Sequence, residues 1–409
     1  MNGTVRPFIP RVESLRGLAA LMVAGYHSIM LMPIDGIDYV RGIRWADVAG
    51  FSSAVVKSLF FLYDGRAAVA MFFVISGLVL GLSLDKAHGR LAAGWGAFLI
   101  RRLCRIYPAL IISTCLIALS FLFLNVGPEP FGTTFFNFYR HEVTIQNVVA
   151  NLLLEGFEVN PVTWTIQVEL YASLLLPVFH YLSRKGPLIS DLLLLALLLV
   201  FSYHYPDDGI RQWFFAFYLG LMLPKWGGLL GHVFANSQKV AGVFLCLAAV
   251  LWLGMSYLPY EWQGTRTFMT DLSARDALAP ILQTIGAALV LGTVVYGPEL
   301  RIFRVLDSRL VRFYGRMSYS FYLYHYTVLY ALALLVMRSL SPFAPIPHAI
   351  GIQVGLFLLS IAATTPIAWL SYLTVERYFV ALGRKTAGRH ATEAPVKVDG
   401  QLRETVTDR

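Results

Sequence analysis

Residues 13–30 read ESLRGLAALMVAGYHSIM, an apolar run interrupted by two ionisable side chains, Arg16 and His27. Eleven residues at 3.6 per turn make about three full turns, so on a helix both side chains leave the same face, roughly 16 Å apart along the axis. Laid across a bilayer, such a helix carries a cation at its mouth and a titratable imidazole well inside. Ionisable groups at that depth are costly and mark functional sites, so this pair is the first place to look for chemistry.

The rest of the 409-residue chain supports the membrane reading. It is 57% hydrophobic and 14% charged, with a mean hydropathy of +0.63, against about 25% charged residues in soluble domains. Stretches approaching or exceeding the roughly 20 apolar residues of a span fall near 15–33, 67–84, 106–124, 163–182, 188–204, 211–224, 240–258, 279–297, 317–337 and 350–373. The expected fold is therefore an all-α membrane bundle of about ten transmembrane helices with both termini on one side. Of the 33 Lys and Arg residues, 24 then lie on the side of the termini and 9 on the other, which makes the terminal side cytoplasmic by the positive-inside rule. The net charge of +9 is thereby accounted for at an anionic inner leaflet, without nucleic acid.

The leader before the first span carries Arg6, Arg11 and Glu13 and shows no small-residue cleavage site, so the span is expected to be retained. Cys104, Cys115 and Cys246 have neither disulfide nor metal-ligand spacing, and no metal is expected. Residues 1–383 read as one membrane-embedded domain. Residues 384–409 are polar and read as a disordered cytoplasmic tail. The two longest outer connections, 34–66 and 125–162, each hold an apolar stretch (FSSAVVKSLFFLY and VVANLLLEGF) suited to dip into the outer leaflet or cap a cavity.

Three further segments carry chemistry. FLIRRLCRIYP, residues 98–108, sets Arg101, Arg102 and Arg105 at the inner end of the third span. Helical spacing puts Arg101 and Arg105 on one face with Arg102 turned aside. Guanidinium forks suit the bidentate binding of a diphosphate, although arginines at the inner end of any span also serve topology. The fourth span opens VTWTIQVELYASLLLP, residues 162–177, with Trp164 at its start and Glu169 about two turns below the outer boundary. At that depth the carboxylate is expected to meet His27 and orient its ring, the bland alternative being satisfaction by Trp164, Tyr171 or backbone. GRMSYSFYLYHYTVL, residues 315–329, aligns Ser318, Tyr322 and His325 along one helical face, with Tyr319 on a neighbouring stripe. Such a stripe suits hydrogen bonding to an amide-rich ligand arm and equally suits packing. Ser76 and Gly77 in MFFVISGLVLG permit close helix approach.

Taken in order, RVESLRGLAALMVAGYHS, FFVISGLVLG, RRLCRIYP, TWTIQVELY and GRMSYSFYLYHY resemble the membrane acyltransferase-3 family, integral-membrane O-acyltransferases of surface and secreted glycans. The resemblance runs from about residue 11 to 380. It implies that Arg16 and His27 are essential, that Arg101, Arg102 and Arg105 handle the acyl donor, and that Trp164, Glu169, Ser318 and Tyr319 belong to the site. The family often closes its last span with Glu, any residue, Pro; this chain departs from that pattern with Glu376, Arg377 and Tyr378.

The resemblance further implies transfer of an acetyl or other short acyl group from cytoplasmic acyl-CoA to a hydroxyl, on a glycan or related acceptor, at the outer side of a bacterial cytoplasmic membrane. Acetyl-CoA is the expected co-substrate, with His27 as base and Glu169 beside it. Direct transfer and a two-step route through an acylated residue both fit. The competing class is a proton-coupled transporter or flippase using His27, Glu169 and His325 as a relay; it lacks an internal repeat or paired broken helices in the sequence.

Overall fold

A computed structural model describes residues 8–34, 40–85, 91–124, 135–136, 143–205, 210–234, 237–255, 272–339 and 349–393. Among these residues the chain is all-helical and has no strand. In a bilayer a helix satisfies its own backbone groups, which is why apolar segments of this length adopt it.

The first half holds α1 (Phe8–Ile29), α2 (Phe51–Leu62), α3 (Gly65–Asp85), α4 (Leu91–Leu124), α5 (Ile145–Leu152), α6 (Trp164–Lys185) and α7 (Leu188–His204). The second holds α8 (Phe214–Phe234), α9 (Gln238–Gly254), α10 (Leu272–Tyr296), the short α11 (Arg309–Arg316), α12 (Ser318–Arg338), α13 (Ala349–Ser371) and α14 (Arg377–Glu393). Each of the ten apolar segments expected from the sequence overlaps one of these helices, although 15–33 runs past the end of α1 and residues 256–258 of the seventh lie outside the described residues. Among the described residues six helical stretches are long and apolar enough to cross a membrane: Phe51–Asp85, Trp95–Phe123, Pro161–Arg184, Leu278–Tyr296, Ser318–Arg338 and Ala349–Ala387. α7 and α9 are apolar but shorter.

Local sequence explains several boundaries. Thr144, Ser237 and Ser308 each accept a hydrogen bond from a backbone N–H three residues on and so cap α5, α9 and α11. In the connections 34–66 and 125–162, the apolar stretch FSSAVVKSLFFLY forms α2, and VVANLLLEGF lies on α5 as far as Leu152. Residue 384, where the composition turns polar, lies inside α14, which runs on to Glu393; residues 394–409 lie outside the described residues. The three cysteines are free thiols.

Two glycine contacts set the bundle's geometry. A Cβ on Gly77 would sit 2.0 Å from the Phe217 carbonyl oxygen, and one on Gly220 2.0 Å from that of Val74, so α3 and α8 touch backbone to backbone. At the end of the bundle where α11 lies, a Cβ on Gly17 would meet the Gly315 nitrogen at 2.5 Å, which fixes α1 against α11. Gly220→Val is therefore expected to abolish recovery of folded protein in detergent, while Gly242→Ala, with open space around its Cβ, leaves it unchanged. Equal recovery of the two variants in size-exclusion chromatography would refute this packing role.

Next to the α1–α11 contact, Arg11 donates to Glu299 at 2.6 Å and to Asp307 at 2.6 Å. These hydrogen bonds hold both carboxylates below their ordinary range. The clamp anchors the start of the helix that carries Arg16 and His27.

Candidate active site

The arginine turn of α4 is organised around Arg102. Its side chain is buried and donates to Glu169 Oε1 at 2.7 Å and to Ser173 Oγ at 3.1 Å. Ser76 Oγ on α3 donates to the same carboxylate oxygen at 3.1 Å. Arg102 is thus the inward arginine, contrary to the expectation that it turns aside. The buried carboxylate decides the face, because a charge in the bundle needs an opposite charge and hydrogen bonds to offset its desolvation. Arg105, one turn on, shares the electrostatic environment of Arg16 and Glu169. Arg101 is half-buried and makes no side-chain hydrogen bond among the described residues.

Glu169 consequently does not orient His27. The expectation that they share a depth took the start of α6 as the outer boundary, and the structure places that start inside the bundle. Asn151 accepts from the Asn160 backbone N–H at 2.7 Å and donates to Thr163 at 2.9 Å, folding the preceding connection inward. Asn160 then donates to the Leu323 carbonyl at 3.0 Å, and Thr165 to the Tyr322 hydroxyl at 3.1 Å. These contacts set the first turn of α6 level with Tyr322 and Leu323. Glu169, about one turn further, is about 6 Å nearer the arginines.

His27 instead meets His325. Its Nδ1 lies 3.1 Å from His325 Nε2, and the Tyr326 ring closes on it edge to face with centroids 4.7 Å apart. Tyr326 is itself tied by its hydroxyl to the Phe135 carbonyl at 3.0 Å. His325 is 1% exposed and its Nδ1 lies 2.7 Å from the Tyr322 carbonyl oxygen. His27 is half-buried.

Against Glu169 lies a cavity of about 40 Å³ bounded by Arg16, Ser76, Glu169, Ser318, Tyr319 and Tyr322, with Phe72, Phe73 and Ile166 on its apolar side; neither His27 nor His325 lines it. That is room for a few water molecules. Arg16 lines this space and makes no side-chain hydrogen bond among the described residues. Tyr319 also donates to the Ile106 carbonyl at 2.8 Å, joining α12 to the arginine turn. Trp164 does not line the cavity; its ring packs 6.3 Å from Trp213 and steadies the start of α6.

Glu376, which the sequence left without a role, is buried and accepts from Ser320 at 3.1 Å. It occupies a π-helical turn, Tyr372–Glu376, between α13 and α14, a distortion found often at functional sites. It adds a second carboxylate to the environment of Arg16. Ser173 and Thr165 likewise had no sequence signal beyond their polarity. Their partners come from other helices.

A helical bundle with apolar spans, buried ion pairs and a water-sized interior cavity defines an integral membrane protein with a polar centre. The family described as Acyltransferase domain (Acyl_transf_3) matches residues 9–373. The chain belongs to this family and is an acyl-transferring enzyme. A curated relative from Acidianus two-tailed virus, named "Putative acetyltransferase ORF330", is 24% identical over 322 residues, covering 77% of this chain and 82% of its own. No solved structure matches significantly.

Proposed function

We propose that the enzyme transfers an acetyl or similarly short acyl group from cytoplasmic acyl-CoA to a hydroxyl of a glycan or related acceptor at the outer side of a bacterial cytoplasmic membrane. The observation that carries this reading is Arg16: an arginine whose side chain has no hydrogen-bond partner among the described residues, lining a cavity beside the Arg102–Glu169 pair. Arg16, Arg102 and Arg105 outnumber Glu169 and Glu376 by one charge, and a bundle interior tolerates such an excess where an anionic ligand completes it.

In this reading the donor's phosphates dock at the arginine turn, with Arg101 and Arg105 at the entrance. Glu169 holds Arg102 in place. The cavity as it stands accepts only a few atoms, so the pantetheine arm enters as the surrounding helices part. Tyr319, Tyr322 and Ser318 offer it hydroxyls. The acceptor approaches from the other end and gives its proton to His27 as it attacks the thioester. Residues 1–383 form the catalytic membrane domain, crossing the bilayer ten times with both termini cytoplasmic. This arrangement is supported by the division of positive charge, 24 to 9. A reporter fused after Arg184 is expected to remain in the cytoplasm; an external signal would overturn the ten-span arrangement.

The experiment that tests the function is transfer of radiolabel from acetyl-CoA to hydroxyl acceptors in membrane vesicles, measured beside solute uptake. Label in a glycan fraction supports the proposal. Uptake without transfer favours a proton-coupled carrier.

A further inference from the structure

The two imidazoles admit one neutral arrangement of protons. A carbonyl oxygen only accepts, so the 2.7 Å contact between His325 Nδ1 and the Tyr322 carbonyl requires the hydrogen on Nδ1. Neutral His325 then presents a lone pair at Nε2. The 3.1 Å approach of His27 Nδ1 to that lone pair is a hydrogen bond only if His27 Nδ1 carries the hydrogen. His27 Nε2 is left bare, and no group among the described residues hydrogen-bonds it.

The ring geometry fits this chain. The planes lie within 10° of each other while the centroids are 5.3 Å apart. With nitrogens 3.1 Å apart, the rings meet edge to edge, lone pair facing N–H, rather than face to face. A protonated His325 would reverse the arrangement. It would also place an imidazolium at a position 1% exposed, with no carboxylate hydrogen-bonded to it among the described residues, at a high desolvation cost.

We infer that His325 is a positioning residue, backed by the Tyr322 carbonyl, that fixes the tautomer of His27 and turns its bare Nε2 into the proton acceptor for the attacking hydroxyl. This rests on the proposed role of His27 as base. The acceptor O–H proton moves to His27 Nε2 as its oxygen bonds to the thioester carbonyl carbon. Collapse of the adduct breaks the C–S bond, and the proton passes from Nε2 to the departing sulfur. Throughout, His325 Nε2 accepts from His27 Nδ1–H and holds the ring, the part a carboxylate plays in hydrolase triads.

The test uses the full-length enzyme in membrane vesicles with radiolabelled acetyl-CoA and the vesicles' own acceptors. His325→Leu removes the acceptor atom, whereas His325→Gln restores one through its amide oxygen. The expected result is a fall in kcat of about 10²-fold or more for His325→Leu, by analogy with tautomer loss in a triad. The KM for acetyl-CoA should stay near that of the unaltered enzyme, and His325→Gln should recover most of the rate. Histidine-selective nitrogen NMR of the unaltered protein, with His27 assigned by its absence in His27→Gln, should show hydrogen on Nδ1 and none on Nε2. Equal activity of folded Leu and Gln variants overturns the inference, and a hydrogen on Nε2 overturns it even if His325→Leu fails to fold. Should His27→Ala itself transfer normally, the reading of His27 as base fails. An inactive His27→Ala with a fully active His325→Leu sinks only the role given to His325.

Discussion

His27→Ala is expected to lose about 10²- to 10⁴-fold in transfer rate, the usual contribution of a positioned general base, while reaching the membrane in normal amount. The position tolerates truncation structurally. His27 is half-buried at the end of α1, and the helix is held by Arg11 and by the Gly17–Gly315 contact more than two turns away. The side chain lost is the one whose second ring nitrogen has no hydrogen-bond partner among the described residues. Initial rates in vesicles, normalised to immunodetected protein, measure the effect. Near-normal transfer would remove His27 from the mechanism, and a loss of solute uptake in its place would revive the carrier reading.

Arg102→Ala should be the most destabilising of the arginine replacements, by about 3–5 kcal/mol, because it strands Glu169 as a buried carboxylate. The double variant Arg102→Ala/Glu169→Gln removes the charge that is left behind. It should recover folded protein without recovering activity. Arg101→Ala, which breaks no hydrogen bond among the described residues, should fold normally. Arg105→Ala should weaken acyl-CoA binding by roughly 1.5–3 kcal/mol if it contacts phosphate, as charge-assisted bonds do. Thermal midpoints in detergent and acyl-CoA titrations separate these outcomes. If Arg102→Ala and the double variant are equally unstable, the pair does not hold the bundle together.

Much of the site was legible from one dimension. Arg16 and His27 share a face because eleven residues make about three turns, a fact of helix geometry that needs no neighbours. Ser318, Tyr319 and Tyr322 fall around the cavity for a similar reason, as successive stripes of one helix. The partners of these residues were harder to read. Arg102 reads as the odd one out beside Arg101 and Arg105 until Glu169 and Ser173 of α6 turn out to lie against it. Glu376 gains its place only through a π turn and a hydrogen bond to Ser320, 56 residues away in the chain.

The sequence by itself determined the class of structure. Apolar length dictates helices, because backbone groups in hydrocarbon have no other partner available along a single segment. It marked Arg16, His27, Glu169 and His325 as ionisable groups inside, since each stands out against an apolar helix, but not Lys57 and Asp64, which are fully buried in a segment read as a connection. The tertiary structure decided who meets whom. Asn151 and Asn160 draw the start of α6 inward to the level of Tyr322 and Leu323, and this shift hands Glu169 to Arg102 and leaves His27 to His325. No periodicity within α1, α6 or α12 encodes that offset, because the depth at which a helix begins is set by hydrogen bonds made by the connection before it.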